Sequence, residues 1–423
     1  MPPRPASFPG RALMRVLLVH PNFPGQTVHI MRALAARRGV QVVGIGARDY
    51  PVPAGVTLHR YEVPPPATGG ARGRFFEAAV ARAERVAKIA LDLRRGGFTP
   101  DVIWSHIGWG DTIFLKDVFG TSPLLLYAEF FYAAVGADVG YEPGKPATVQ
   151  DAIRVRAMNG PLLSAMHASD WGIAPTRWQR DRFPDWYKPR ISLVHEGVDT
   201  AVCKPDPDAR FTLPDGTVLR PGDEVVTYVA RNLEPYRGFP TFMRALPSLL
   251  EARPGVRVVI VGGDEAGYGR RPPDHPNWRE AMLAEVGPLD PSRVFFLGRI
   301  PHPDLHDLFR VAAAHVYLTV PFVLSWSLLE AMAIGTLVVG SATPPVQEVI
   351  ADGRNGLLTD LFDHAALAKR LVAVLADPAA QAPLRARARG TVVERYDIAR
   401  VTLPRQLAVL DALAAKKRPS TYA

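Results

Sequence analysis

Short apolar runs recur along this chain, and each is followed by a loop rich in glycine or proline and then by a helical pattern. The first run is MRVLLVH at residues 14–20, and the next is VQVVGIG at residues 40–46, after a helix predicted from about Thr27 to Arg37. Runs that are apolar at almost every position are typical of parallel strands buried on both faces. Their alternation with helices predicts a parallel α/β sheet.

The alternation is interrupted once and then starts again. Residues 204–223 are rich in proline, aspartate and glycine, which is typical of a linker with room for a small hairpin. Four further strands are then predicted, at residues 224–233, 256–263, 293–300 and 315–320. A chain of 423 residues is also too long for one hydrophobic core. We therefore expect one domain at residues 14–205, a second at 206–395, and a helical segment at 396–423.

The composition narrows the classes of protein and partner. With 48% hydrophobic and 22% charged residues, the chain is typical of a globular protein. A net charge of +9 suits an anionic lipid surface or a phosphorylated substrate, and the alternative is an arginine-rich composition without functional meaning. The basic residues are scattered, so no nucleic-acid partner is predicted. The single cysteine, Cys203, excludes an internal disulfide framework and a multi-cysteine metal site.

Two segments bear on localisation. Residues 311–329 carry no formal charge and are long enough to be mistaken for a membrane span, but Pro321 divides them into a strand and a helix. Residues 1–13 lack the apolar core of a signal peptide, and Met14 is a candidate start. The sequence therefore predicts a cytoplasmic protein.

The second half offers an anion site. Residues 321–340 predict a turn, a helix and a buried strand, and Ser325 and Ser327 are both good helix N-caps. A helix N-terminus at the end of a strand binds anions, because its free N–H groups and its dipole point outward. Arg231 ends a strand and Arg237 opens the next helix, and two guanidiniums there suit a diphosphate.

Glu330, on the same helix, is a candidate acceptor for two neighbouring sugar hydroxyls. The competing interpretation is local, because Ser327 and Glu330 have the spacing of a capping box. Arg231 and Arg237 could likewise be surface salt-bridge partners.

The first half also has polar residues where strands end. The loop HPNFPGQ, residues 20–26, follows the first strand, at the edge where open α/β sheets bind ligands, and Gly25 would allow close backbone approach. It lacks the G-x-G-x-x-G pattern, so a dinucleotide is not favoured. His106 and Glu129 follow two further strands, where each is a candidate site residue or a structural one.

Several motifs together resemble the retaining glycosyltransferases of family 4, which have the GT-B fold of two Rossmann-like, doubly wound parallel-sheet domains facing a cleft. The motifs are ARNLEPYRG (230–238), VGGDEAGYG (261–269), FLGRI (296–300), LLEAMAIGTLVVG (328–340) and EVIADGRNGLL (348–358). HEGVD at residues 195–199 is similar to the family's turn before its linker. HPNFPGQ resembles a subgroup whose members often occur with surface-polysaccharide genes. In relatives the final helix crosses back onto the first domain.

The resemblance implies roles for individual residues. It assigns catalytic roles to His106, Arg231, Arg237 and Glu330, the last as the ribose-holding second Glu of an E-x(7)-E motif. It implies donor binding by Gly25, Gln26, Gly238, Gly262, Gly263, Arg299, Ile300, Val323, Leu324, Ser325, Trp326 and Ser327. It also implies that Glu129 and Tyr132 lie on the acceptor side. The chain departs from the family at two positions: Phe322 replaces the first Glu of the motif, which usually contacts the donor sugar, and Arg237 replaces the usual Lys.

The implied reaction moves a sugar from a nucleotide-diphosphate sugar to a glycan or lipid-linked acceptor, with retention and without a cofactor. No Asp-x-Asp motif occurs in a suitable loop, so the arginines are expected to replace a metal ion. His302 and His306 are four residues apart and could face one way, but no third ligand is evident, and no metal site is predicted. Three alternatives remain: a nucleotide-sugar epimerase, a weakly active sugar-nucleotide-binding paralogue, and a basic protein that binds membrane surfaces or nucleic acid.

Overall fold

The computed structural model describes residues 13–68, 70 and 73–422, and these form two compact units. The first unit takes the described residues up to Ala134, then Ala147–Glu196 and the chain from Thr402 onward. The second unit takes Val135–Pro146 and Gly197–Val401. The expectations for a leader segment fall almost entirely on residues 1–12, which lie outside the described residues.

The first unit is built on a seven-stranded parallel sheet with the order β3-β2-β1-β4-β5-β6-β7. Its strands are β1 Met14–Val19, β2 Val40–Gly46, β3 Val56–Arg60, β4 Val102–His106, β5 Leu124–Tyr127, β6 Trp171–Ala174 and β7 Ile191–Leu193. Val16 and Leu18 of β1 lie in one hydrophobic cluster, whereas Leu17 and Val19 lie in another. A strand buried on both faces must be apolar throughout, which is why β1 reads as a continuous run.

Helices connect these strands. They are α1 Val28–Ala35, α2 Arg74–Arg95, α3 Leu115–Val118, α4 Val149–Met158, α5 Gly160–Ala168 and α6 Arg177–Asp181. The strand order reverses direction between β1 and β4, which makes this edge the switch point at which doubly wound sheets bind ligands.

The second unit repeats the plan with a six-stranded parallel sheet in the order β12-β11-β10-β13-β14-β15. A short antiparallel hairpin, β8 Phe211–Thr212 with β9 Val218–Leu219, precedes it and lies in the predicted linker. The sheet strands are β10 Val225–Asn232, β11 Arg257–Gly263, β12 Val294–Gly298, β13 Ala314–Tyr317, β14 Leu337–Ser341 and β15 Leu357–Thr359. The switch point here lies between β10 and β13.

The helices of the second unit include the apolar segment that resembles a membrane span. They are α7 Phe239–Ala252, α8 Trp278–Val286, α9 His302–Val311, α10 Trp326–Ile334, α11 Pro344–Gln347, α12 His364–Ala376 and α13 Ala382–Arg395. Every residue of α10 from Ser327 onward is buried, so its apolar character follows from burial inside the unit. Among the described residues, no helix is long and apolar enough to cross a membrane.

The last helical pattern is divided in the structure. Ile398–Thr402 is a π-helix, and α14 follows at Leu403–Ala414. Val409 and Leu410 of α14 are buried in the hydrophobic cluster of the first unit that also holds Val16. The break between the units falls at Glu196, nine residues before the expected boundary at 205, because Val198 donates a hydrogen bond to the Tyr396 carbonyl at 2.8 Å within the second unit.

Candidate functional site

Arg237 occupies the loop between β10 and α7 in the second unit. Its Nη1 donates hydrogen bonds to Thr319 Oγ1 at 3.0 Å and to the Val323 carbonyl at 2.9 Å. The following residue must be glycine: Gly238 has φ of 65°, and a Cβ there would lie 2.4 Å from that of Leu318. The guanidinium therefore joins the loops that follow β10 and β13, the two strands at the switch point.

Aromatic rings surround the same guanidinium. Its carbon lies 5.8 Å from the ring centroids of both Tyr268 and Phe322. Phe322 is buried, and it meets Tyr268 and Tyr236 edge-on at centroid distances of 4.9 and 5.7 Å. The position at which the family pattern has an acid is therefore the centre of an aromatic cluster formed by Tyr236, Tyr268 and Phe322.

A buried carboxylate that the sequence reasoning missed organises the loop after β11. Glu234 Oε2 accepts hydrogen bonds from the backbone N–H groups of Tyr268 and Gly269, at 2.7 and 2.8 Å. Burial raises the pKa of Glu234, although these hydrogen bonds and the charges of Arg237 and Arg231 oppose the rise. The sequence signal that could have identified Glu234 is its position inside the ARNLEPYRG motif. Glu234 fixes the loop that carries Tyr268.

Arg231 and Arg299 lie where β10 and β12 end. Arg231 is exposed. The pKa of Glu265 is lowered first by a backbone hydrogen bond and then by Arg299, and the positive charge of Arg231 adds to this effect. Arg299 Nη2 donates to Asn232 Oδ1 at 2.9 Å and to Glu265 Oε2 at 2.5 Å. Arg299 is thus engaged in an ion pair, and Arg231 presents its side chain to solvent.

The two glycines at the end of β11 differ in what packing requires of them. A Cβ on Gly262 would lie 2.7 Å from Leu233 Cδ2 and 2.9 Å from the backbone oxygen of Ala230. The atom nearest to a Cβ on Gly263 would be Glu265 Oε2, at 2.3 Å, which is the end of a flexible side chain. Ile300 packs against a hydrophobic core cluster of this unit. Gly262 and Ile300 therefore have structural roles that are independent of any ligand.

The interpretation of Ser327 and Glu330 as a capping box is wrong, because α10 begins earlier than that interpretation requires. Ser325 is the N-cap, so Ser327 is already the second residue of the helix and Glu330 lies beyond its third. Ser325 N donates to the Tyr317 hydroxyl at 2.8 Å, and its Oγ lies 2.8 Å from Ser327 Oγ. Val323 and Leu324 are partly buried, and Trp326 is 44% exposed. The side chain of Glu330 is consequently available for contacts outside its own helix turn.

Those contacts are two histidines of α9. Glu330 Oε1 lies 2.9 Å from His302 Nε2 and 3.9 Å from His306 Nε2. Burial opposes ionisation of Glu330, but the hydrogen bonds and charges of these histidines lower its pKa to about 2. The hydrogen bond to Glu330 raises the pKa of His302. Cys203 Sγ lies 3.5 Å from His306 Nε2, so the two histidines do have further ligand-type neighbours, contrary to the sequence expectation.

In the first unit, three predicted residues meet at the carboxyl ends of β1, β4 and β5. Glu129 accepts from Gln26 Nε2 at 2.8 Å through Oε1, and its Oε2 lies 3.3 Å from His106 Nε2. His106 Nδ1 accepts from the Gly108 N–H at 3.0 Å, which leaves the proton on the nitrogen that faces Glu129. Burial opposes ionisation of Glu129, but the charge of His106 and its hydrogen bond lower the pKa of Glu129.

His20 is a further member that the sequence reasoning missed, although it opens the HPNFPGQ loop. Its ring lies edge-on to that of His106, with centroids 5.2 Å apart. Gly25 has φ of 50°, and a Cβ on it would lie 2.5 Å from the His20 ring. Burial and the neighbouring His106 lower the pKa of His20 to about 3, so its ring stays neutral. Tyr132 packs against Phe130 instead, and Asn159 holds its backbone.

Two parallel, doubly wound units with ionisable side chains at their switch points define the class of GT-B proteins. The structure of sucrose-phosphate synthase from Thermosynechococcus elongatus matches with a TM-score of 0.67 at 20% identity, and covers 95% of this chain and 100% of that one. HepE from Anabaena, in complex with UDP and glucose, matches with a TM-score of 0.65 at 17% identity, over 93% of this chain and 98% of that one.

Sequence comparison gives the family. Residues 38–203 match the glycosyl transferase family 4 group, and residues 211–391 match the glycosyl transferases group 1. The chain belongs to the family 4 glycosyltransferases. A D-inositol 3-phosphate glycosyltransferase from Acidothermus cellulolyticus is 31% identical over 199 residues, which are 46% of this chain. The match spans 42% of that relative's length. The narrower HPNFPGQ subgroup stays a prediction.

Proposed function

We propose that this protein is a retaining glycosyltransferase that moves a sugar from a nucleotide-diphosphate sugar to a glycan or lipid-linked acceptor, in the synthesis of a surface polysaccharide. The observation that carries the proposal is Arg237, which is held by Thr319 and Val323 beside the start of α10. A fixed guanidinium next to a helix N-terminus suits a diphosphate, because both contribute positive potential and N–H donors.

Arg231 supports the same role. It ends the strand next to the switch point, and its exposed side chain is free to turn towards a phosphate. When the bond between the anomeric carbon and the diphosphate oxygen breaks, negative charge develops on the departing oxygen. Arg231, Arg237 and the dipole of α10 would stabilise that charge, so the proposal requires no metal ion at the diphosphate.

Glu330 would hold the ribose. An ionised carboxylate accepts hydrogen bonds from two adjacent hydroxyls, and the low pKa of Glu330 keeps it ionised at neutral pH. Its known contacts involve Oε1, which faces His302 and His306. In the first unit, His106 and Glu129 would act near the reacting sugar and the acceptor.

UDP-sugars are the first donors to test, because the structural neighbour HepE binds UDP and glucose. Phosphorylated or lipid-linked acceptors are the first acceptors to test. The inositol phosphate relative and the net charge of +9 both favour an anionic acceptor. Peripheral contact with an anionic membrane is part of the proposal. Sedimentation with vesicles that contain anionic lipid, but not with neutral vesicles, is the expected result, and equal sedimentation would contradict it.

The decisive experiment measures nucleotide release from a panel of nucleotide sugars. Arg231→Ala and Glu330→Ala should each abolish turnover, and Arg244→Ala, which removes an exposed ion pair with Glu285, should leave it unchanged. Unchanged kinetics in both site variants would overturn the proposed site. The anomeric configuration of the product, read by NMR, tests retention.

A second candidate function is a sugar-nucleotide-binding protein with weak or no activity, and Phe322 is the observation that favours it. The side chain that would contact the donor sugar is a phenyl ring packed between two tyrosines. Tight nucleotide binding without release of nucleotide from any donor would support this second function.

A further inference from the structure

Four side chains with metal-ligating atoms converge in the second unit. Cys203 comes from the turn after Asp199, His302 and His306 come from α9, and Glu330 comes from α10. Cys203, His306 and Glu330 are buried, and one ligand atom from each lies within 4.8 Å of the others. His302 adds its Nε2 at 2.9 Å from Glu330 Oε1.

The backbone holds these side chains in place. His302 and His306 are one helical turn apart, so their rings share a face of α9, with centroids 4.4 Å apart. The Cys203 amide donates to the Asp199 carbonyl at 2.7 Å, and the Cys203 carbonyl accepts from Arg389 Nη1 at 3.0 Å. The thiol is therefore fixed against α9, and the cluster does not depend on a mobile loop.

The separations are close to those of ligands around a tetrahedral ion. At Zn²⁺, bond lengths of about 2.0–2.3 Å put neighbouring ligand atoms about 3.3–3.7 Å apart. Cys203 Sγ and His306 Nε2 are 3.5 Å apart, His306 Nε2 and Glu330 Oε1 are 3.9 Å apart, and His302 Nε2 and Glu330 Oε1 are 2.9 Å apart. The ligand atoms of Cys203, His306 and Glu330 all lie within 4.8 Å of one another, so shifts of up to about 1 Å would bring these three around one ion, and His302, through Glu330, is the candidate fourth ligand.

The donor set selects the kind of ion. One thiolate, two imidazoles and one carboxylate suit Zn²⁺, whereas Mg²⁺ and Ca²⁺ take oxygen ligands. A hydrogen-bonded ion pair of His302 with Glu330 would not explain why a thiol lies beside them. With Zn²⁺ bound, the thiolate and the carboxylate balance the charge of the ion, so the buried site is neutral.

We propose that Cys203, His302, His306 and Glu330 bind one Zn²⁺ ion. Binding displaces the thiol proton, because the thiolate is the metal ligand. The ion uses Glu330, and therefore its occupancy reduces binding of the nucleotide sugar. This last consequence rests on the proposed function, whereas the metal site itself does not.

The test uses the full chain, freed of metal with a chelator that is then removed. Titration with Zn²⁺ against a chromophoric chelator should give one ion per chain, and Cys203→Ser, Cys203→Ala and His306→Ala should each weaken the affinity at least about tenfold. His364→Ala, an exposed histidine, is the matched control and should not change it. Co²⁺ should show a thiolate-to-cobalt charge-transfer band that Cys203→Ser removes. Circular dichroism of each metal-free variant checks that it is folded.

Absence of stoichiometric binding, or affinity unchanged in all three variants, overturns the metal site. Titration of the metal-free protein with UDP separates this inference from the proposed function. If the protein binds UDP but not Zn²⁺, the metal site is rejected and the proposed function stands. If it binds Zn²⁺ but not UDP, the metal site stands and the proposed function is rejected. If both bind, Zn²⁺ should weaken the binding of UDP, and independent binding would contradict the shared use of Glu330.

Discussion

Phe322 lies edge-on to Tyr268, with ring centroids 4.9 Å apart and planes inclined by 62°, and both rings lie 5.8 Å from the guanidinium carbon of Arg237. Aromatic faces attract a cation without neutralising it. A carboxylate at position 322 would instead pair with Arg237. The aromatic cluster therefore leaves the full charge of Arg237 for an anionic ligand, and removes a hydrogen-bond acceptor from the place where a donor sugar is expected.

Substituting Phe322→Glu should change the preference among donor sugars. A carboxylate would accept hydrogen bonds from sugar hydroxyls, and a hydrogen bond to a charged group contributes about 1.5–3 kcal/mol. The ratio of kcat/KM for a fully hydroxylated hexose over a deoxyhexose with the same nucleotide should therefore rise about tenfold or more.

The matched control is Phe322→Leu, which stays apolar and should keep the wild-type ratio while losing some packing. If the Glu variant turns over but keeps the wild-type sugar preference, residue 322 does not contact the sugar.

Replacement of Arg237 by lysine should lower the activity. The guanidinium bonds Thr319 and Val323 while facing two rings, and an ammonium has neither the planar fork nor the reach to do both. We expect Arg237→Ala to lower kcat/KM by about 10²–10³, as for loss of one charge-stabilising donor, and Arg237→Lys to fall between that variant and the wild type. Arg244→Ala controls for loss of positive charge. Equal activity of Arg237→Lys and wild type would show that charge alone is needed.

Glu129 should act through both of its oxygens. One accepts from Gln26 and the other faces His106 Nε2, so an amide in its place can accept through only one atom. Glu129→Gln should lower kcat while the affinity of the protein for free nucleotide stays unchanged. Steady-state kinetics and a nucleotide titration separate the two quantities, with Glu84→Gln on the exposed face of α2 as the control. A loss of nucleotide affinity equal to the loss of kcat would reject this division of roles.

One sequence pattern, the continuous apolar run, predicted both the strands and the positions of several site residues. Continuous apolar runs identify buried parallel strands, and the end of each run then places Arg231, His106 and Glu129 at a sheet edge. The partners of Glu330 were not predictable, because His302 and Cys203 lie 28 and 127 residues away and only the packing of α9 on α10 brings them together. The sequence also left open whether Ser325 or Ser327 is the N-cap, since two serines two residues apart offer the same local signal, and the structure selects Ser325.

The stability of the second unit should fall on mild acidification because of His315. This histidine is fully buried in β13, its Nδ1 lies 3.1 Å from Thr227 Oγ1, and its Nε2 has no hydrogen-bond partner among the residues that the structure describes. Burial lowers the pKa of His315 to about 3. An unfolded histidine titrates near 6.5, so below about pH 6.5 the unfolded state binds a proton that the folded state does not. The stabilisation is complete above that pH and is lost as the pH falls towards 3.

His315→Asn places a neutral polar atom near the position of Nδ1 and cannot titrate. Through this one group, the free energy of unfolding of the wild type should fall by up to about 1.4 kcal/mol per pH unit. Between about pH 7 and pH 5, that of the variant should fall correspondingly less. This holds even if the variant is less stable than the wild type at both pH values. Urea denaturation at the two pH values gives the free energy of unfolding for each protein, and His364→Asn, at an exposed position, controls for removal of any histidine. If the free energy of unfolding has the same pH dependence in wild type and His315→Asn, His315 takes up its proton in the folded state as it does in the unfolded state. Its Nε2 would then have a partner in solution.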